Sequence, residues 1–473
     1  MPNGACYSKI GIYEVFGGVL MERMALKKLI DWNNNKRKKP LIVWGARQVG
    51  KTYLIKDIFA QRYYKDNYIY IDCKIEDEIS DFCSSTANAE KIIEYISLIK
   101  GKRINENTLL IFDEVQECPN IISSLKYFCQ DFRNIPVIAT GSMVRIKIQR
   151  ETHKRGSAGN SKFLFPVGKI NQLTVYPMTF DEFLMNSNKV LYEAVRKAYE
   201  KKQSLDTKIH ELAMEQVYRY LLVGGMPEAV EAYIEDDNLF ESREILKTLY
   251  DNYLSDMDLY QASREAVLRS RNLFSNIYRE LNKESRNFSP SLIEEKSKTR
   301  DFATSIQWLT MAHIVNQSFQ LKEHITMPLM ADNDSIFRLF LGDIGMFSYQ
   351  SGINATSFIT NQRDNTLSGI FFENFVANEL IAKGHRLFYW RGKASAEIEF
   401  IVESNNKLYP IDVKKGKGTL NSLNKFSSHN KFEYAIKVSK NNYGFNGEHK
   451  LLTVPFYFFS FIAEDLESGN MII

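Results

Sequence analysis

The run Leu41–Thr52, LIVWGARQVGKT, limits the fold of this chain more than any other stretch: four β-prone apolar residues flow directly into Gly45-x-x-x-x-Gly50-Lys51-Thr52. A buried strand that empties into such a loop calls for a helix immediately after it, and Tyr53–Arg62 has the composition of one. Gly45 and Gly50 carry no Cβ, so the backbone between them can curl into a nest of amide N–H groups that closes on phosphate oxygens at the positive end of that helix. The pattern is a Walker A phosphate loop. In it Gly45, Ala46, Arg47, Gln48, Val49 and Gly50 wrap the nucleotide, Lys51 reaches the β- and γ-phosphates, and Thr52 offers its hydroxyl to Mg²⁺. ATP and Mg²⁺ are therefore the expected ligands.

A second motif follows at the distance such a site needs. Tyr68–Cys73, YIYIDC, reads as a second parallel strand, Ala89–Lys100 as a helix closing at Gly101, and Thr108–Glu114, TLLIFDE, as a strand ending in two adjacent carboxylates. This is a Walker B pattern: Asp113 holds Mg²⁺ through water, and Glu114 orients or deprotonates the attacking water. The next strand, Pro136–Ala139, ends in Thr140-Gly141-Ser142. If it is inserted between the two motif strands, Ser142, or Thr140, senses the γ-phosphate. Ile146–Lys162 reads as a basic loop, and Arg145, Arg150 and Arg155 are all candidates for an arginine acting on a neighbouring subunit's nucleotide.

A chain of 473 residues exceeds what one hydrophobic core serves and suggests two to four domains. Its net charge of +4 permits nucleic-acid contact without requiring it. The five cysteines form no C-x-x-C pair, which argues against a disulfide framework or structural zinc and for a reducing cytoplasm. No apolar run is long enough for a membrane helix. Residues 1–20 read as an extension without a secretory cleavage site, and Met21 can serve as a start.

These motifs, together with VYPMTFDEFL and LLVGGMPEAV further on, resemble those of bacterial and archaeal AAA-type ATPases that carry a C-terminal domain of unknown function. The resemblance runs from about Met21 to the end. Where that family usually has Gly-Arg ahead of its Leu-x-x-Pro-x-Ser/Thr-Phe segment, this chain has Gly168-Lys169, and lysine lacks the planar bidentate fork. The resemblance also implies a winged-helix unit, into which Leu292–Glu295, Arg300–Ala312 and Ile314–Lys322 fit. Arg286, Lys296, Lys298 and Arg300 would then face DNA phosphates.

The last third reads as strand Ile336–Leu341, an amphipathic helix Ile370–Lys383 carrying Glu373, and strands Arg386–Trp390, Glu397–Val402, Leu408–Val413 and Tyr434–Val438. Asp412 and Lys414 stand two apart and so share a strand face. With Glu399 they resemble the PD-(D/E)xK pattern of restriction-endonuclease-like folds, although no Pro-Asp pair precedes them. Glu373, Glu399, Asp412 and Lys414 are thus candidates for a second metal site.

The expected architecture is α/β. It comprises the extension 1–20, an AAA-type P-loop NTPase core at 21–190, a helical and winged-helix region at 191–330, and a restriction-endonuclease-like domain at 331–473. Lys51, Glu114 and Ser142 are the catalytic candidates, with Thr52 and Asp113 for the metal. Three functions remain open: an ATP-hydrolysing switch or motor on duplex DNA, a signalling ATPase that recruits a protein partner, and a metal-dependent nuclease in defence against foreign DNA. Oligomeric state stays open too.

Overall fold

The computed structural model describes residues 21–142, 165–261, 263–355, 369–392, 396–414 and 421–470. The extension 1–20, Arg145 and the basic loop with Arg150 and Arg155 lie outside the described residues.

The N-terminal sheet is all parallel. Its strands are β1 (Leu41–Trp44), β2 (Tyr68–Asp72), β3 (Leu109–Asp113), β4 (Val137–Thr140) and β5 (Asn171–Thr174), in the order β2-β3-β4-β1-β5. Strand β4 is thus inserted between the two motif strands. Helices cover both faces, so β1, β3 and β4 are buried along their whole length, while β2 at the edge alternates. Successive residues of β1 serve opposite layers: Leu41 and Val43 pack with Leu54, Ile55 and Ile58 of the following helix, whereas Ile42 and Trp44 join Ile92, Ile96 and Phe128 on the other side.

The middle region is helical, and its longest helix, Leu239–Tyr260, runs back to the phosphate loop. The helix Thr207–Val223 ends at Gly224, whose φ of +75° and close approach to Asp343 exclude a side chain. Gly225 lies against Met178, the two residues joined by an N–H to carbonyl bond of 2.6 Å, and a Cβ there would fall 2.0 Å from the Met178 carbonyl oxygen. The motifs VYPM and VGGMP are therefore the two sides of one backbone contact. Asp343 completes it, accepting from the Gly225 N–H at 2.7 Å; burial pushes its carboxyl up to about 6.

The segments expected to form a winged helix are the short turns Pro290–Leu292 and Thr299–Phe302, the helix Ala303–Met311 and strand β6 (Val315–Leu321). Strand β6 pairs antiparallel with β7 (Phe337–Leu341) and parallel with β8 (Leu387–Arg391), so it belongs to a sheet shared with the C-terminal third. Strands β6 and β7 stand on either side of residue 330. With β9 (Glu397–Ile398) they form the order β7-β6-β8-β9. A second sheet contains β10 (Phe400–Ser404), β11 (Lys407–Lys414), β12 (Ala435–Ser439), β13 (Gly444–Asn446) and β14 (Leu451–Pro455), in the order β10-β11-β12-β14-β13.

The helix Ile370–Ala382 departs from expectation. It is buried on every side, not amphipathic, because it is the central helix of the C-terminal half. Two of its polar residues are bonded inside: Asn374 bonds both backbone groups of Leu341 at 3.0 Å, and Glu379 accepts from the Phe180 N–H at 2.8 Å and the Ser460 hydroxyl at 2.6 Å. Glu379 thereby ties this helix to the Thr179-Phe180-Asp181-Glu182 turn of the ATPase region.

Candidate functional site

The phosphate loop takes the shape its glycines permit. Gly45 adopts φ +147°, Gln48 +61° and Gly50 +80°, and a Cβ on Gly45 would lie 2.3 Å from the Val175 carbonyl oxygen of the neighbouring strand end. The helix beyond Thr52 starts at Tyr53–Ala60 with wide turns and continues through Gln61–Tyr63. Lys51 is buried, and its Nζ donates to the carbonyls of Ala46 at 2.7 Å and Gly45 at 3.2 Å. Burial lowers its pKa to about 8, against the pull of Glu114 and Asp113.

Around Lys51 the two motifs meet. The Thr52 hydroxyl donates to Asp113 Oδ2 at 2.6 Å, the Tyr70 hydroxyl to the same oxygen at 3.0 Å, and the Glu114 N–H to Asp113 Oδ1 at 2.8 Å. Glu114 sits just past the strand end at φ +50°, which turns its side chain out of the sheet beside the Gln116 amide. Burial raises its carboxyl above the ordinary value. Ser142 lines the same cavity of about 490 Å³ with Arg47, Lys51, Thr52, Asp113 and Glu114. Thr140 does not: its buried hydroxyl donates to the Val43 carbonyl at 3.2 Å, which leaves Ser142 as the polar side chain of that turn facing the cavity.

The donor set fits Mg²⁺. An alcohol and a carboxylate oxygen already lie within hydrogen-bond distance of each other, and Mg²⁺ is ordinarily held by one or two such oxygens together with waters and substrate phosphates, not by a full protein cage. Such an ion would neutralise charge developing on the phosphates.

Several residues of the site had no sequence signal of their own. Arg23, buried, donates through NH1 to the Val49 carbonyl at 2.9 Å, through NH2 to the Tyr176 carbonyl at 2.7 Å and through Nε to Glu182 at 3.2 Å, so it braces the phosphate loop while lining the same cavity. Glu182 also accepts from the N–H groups of Met24 at 2.6 Å and Thr179 at 3.0 Å. The acidic position of VYPMTFDEFL thus closes a helix cap and holds Arg23. The rest of the cavity wall comes from Met21, Tyr53, Pro227, Glu228 and Glu231, so the residues after VGGM also reach the site.

The C-terminal candidates are drawn together as well, but by cations. Lys414 Nζ lies 3.0 Å from Glu399 and 2.7 Å from Asp412, and the Val413 N–H donates to Glu399 at 3.2 Å. Glu373 is paired instead with Arg286 at 2.6 Å, and buried Arg338 meets Glu397 at 2.7 Å while lying over the Tyr389 ring at 3.9 Å. Burial pushes the Glu399 carboxyl up, to about 8, against the pull of Lys414. Arg286 was expected to face DNA phosphates; it turns inward because the buried Glu373 carboxylate needs a counter-charge. Lys296, Lys298 and Arg300 remain exposed. Among the described residues no group of three or more His, Cys, Asp or Glu side chains is arranged to hold a metal ion. Lys414→Ala is expected to destabilise the fold by about 3 kcal/mol, because it strands the buried Glu399 and the half-buried Asp412 without their cation. Urea unfolding would check this, and an unchanged midpoint would mean that the acids are held by other groups.

Comparison with known proteins agrees with this geometry. Residues 37–184 match a family model described as an AAA domain. With the inserted strand and the loop conformation, that makes the N-terminal part of the chain an AAA-type P-loop domain. Residues 214–357 and 368–457 match two families described as domains of unknown function, DUF8612 and DUF4143. A protein of Methanocaldococcus jannaschii described as uncharacterized is 25% identical over 224 residues, 45% of this chain and 43% of that protein, so the match spans less than half of either. Among solved structures, the replication initiator DnaA bound to AMPPCP and single-stranded DNA is 14% identical with a TM-score of 0.27, covering 64% of this chain and 88% of that one. The C. elegans protein PCH-2 is 15% identical with a TM-score of 0.21, covering 42% and 52%. No helix among the described residues is long and apolar enough to cross a membrane.

Proposed function

We propose that the chain is a Mg²⁺-dependent, ATP-hydrolysing switch. The observation that carries the reading is the meeting of Lys51, Thr52, Asp113 and Glu114 on one cavity, with Thr52 bonded directly to Asp113 at 2.6 Å. Lys51 and the loop N–H groups hold the β- and γ-phosphates. Thr52 and Asp113 supply oxygens to the metal, Ser142 contacts the γ-phosphate, and Glu114 takes the proton of the attacking water, so that the P–O bond to the leaving diphosphate breaks as the new one forms.

For the C-terminal third we propose a restriction-endonuclease-like scaffold without cleavage, because Glu373, Glu399 and Asp412 already have cationic partners. That favours a switch over a nuclease. DNA remains the proposed partner for the switch, through exposed Lys296, Lys298 and Arg300, with a recruited protein as the alternative. Phosphate release measured with and without duplex DNA separates the two. Stimulation that falls with salt by a log-log slope of about −0.9 per phosphate contact supports DNA, and turnover indifferent to DNA at low salt favours the protein partner.

A further inference from the structure

Arg47 has two environments at once. The residue lines the cavity, and its NH1 lies 2.5 Å from Asp256 Oδ1 on the helix Leu239–Tyr260. The Arg47 side chain is 44% exposed and that of Asp256 only 1%. A second bond reinforces the first, since the Tyr253 hydroxyl donates to the Arg47 carbonyl at 3.1 Å. Asp256 Oδ2 is buried and has no hydrogen-bond partner. Arg47 and Lys51 both line the cavity on the side of the phosphate loop, and a guanidinium fork can bind a terminal phosphate while keeping one N–H on the carboxylate behind it.

We propose that Arg47 contacts the γ-phosphate from within the same subunit, and that Asp256 is the positioning residue through which nucleotide state reaches the helix Leu239–Tyr260. The route onward runs along that helix. The opposite end of that helix carries Arg243, which donates to the Ser348 hydroxyl at 3.0 Å and the Ile353 carbonyl at 3.1 Å. Ser348 lies on the helix Ile344–Gln350, capped by the same Asp343 that holds Gly225. A shift at Arg47 therefore bears on both the middle region and the helix Ile344–Gln350 that follows β7.

The inference rests on the nucleotide reading above, and the test separates the two. Affinities for Mg²⁺–AMPPCP and Mg²⁺–ADP are measured on the full chain for wild type, Lys51→Ala, Arg47→Ala, Arg47→Lys and Asp256→Asn. Arg47→Ala is expected to lower the AMPPCP-to-ADP preference at least ~10-fold, the loss of one charge-assisted contact, with partial recovery in Arg47→Lys. In Asp256→Asn, AMPPCP should no longer change amide exchange over residues 253–260, as it does in wild type; a purely structural pairing would not link that exchange to the third phosphate. If Lys51→Ala abolishes binding but Arg47→Ala leaves the preference unaltered, or the exchange response survives in Asp256→Asn, this inference falls and the nucleotide site stands. Unchanged binding in Lys51→Ala overturns both.

Discussion

Lys51→Ala is expected to weaken MgATP binding by roughly a hundredfold or more, because the ammonium's charge-assisted bonds to phosphate together contribute about 3 kcal/mol. The glycine nest would persist. Folding stability should change by no more than about 1 kcal/mol: the variant loses the bonds to the Gly45 and Ala46 carbonyls but no longer buries a cation, and the two effects oppose each other. Calorimetric titration with ATP, run beside a thermal melt, checks both halves. A folded variant that binds ATP as wild type does would overturn the phosphate-loop reading.

Glu114→Gln should act on a different step. The amide preserves shape and still accepts a hydrogen bond, yet it cannot take a proton from water at neutral pH. Turnover is expected to fall ~10²- to 10⁴-fold with ATP binding retained, so the variant should accumulate in the ATP-bound state. Single-turnover hydrolysis compared with equilibrium binding makes the distinction. A normal rate in Glu114→Gln would assign the base elsewhere.

The parts of this molecule legible in the sequence are those whose cause is local. Strands β1, β3 and β4 are buried on both faces, so they are continuous apolar runs, and the glycines and acids at their ends stand where strand meets loop. The placement of β4 between the motif strands is set by the sheet order and has no local signal. The helix Ile370–Ala382 is not amphipathic: Glu373, Asn374 and Glu379 are spread around its circumference, and each is bonded inside the protein.

What the sequence hid is tertiary. Arg47 and Asp256 are 209 residues apart, and Arg23 and Glu182 are 159 apart; nothing in either local stretch specifies the other. Arg286 reads as one more basic surface residue because its partner, Glu373, lies 87 residues further along the chain. Arg338 left one trace, a charge in the apolar run FRLFL, and a charged residue inside a strand so buried needs a partner.

Steady-state phosphate release from ATP by the intact chain, with Mg²⁺ and with EDTA, tests the central claim most directly. Turnover that requires Mg²⁺ and is lost in both Lys51→Ala and Glu114→Gln is the expected result. Saturating ATP binding with no release in Mg²⁺, or release that continues undiminished in EDTA or in Glu114→Gln, would contradict it.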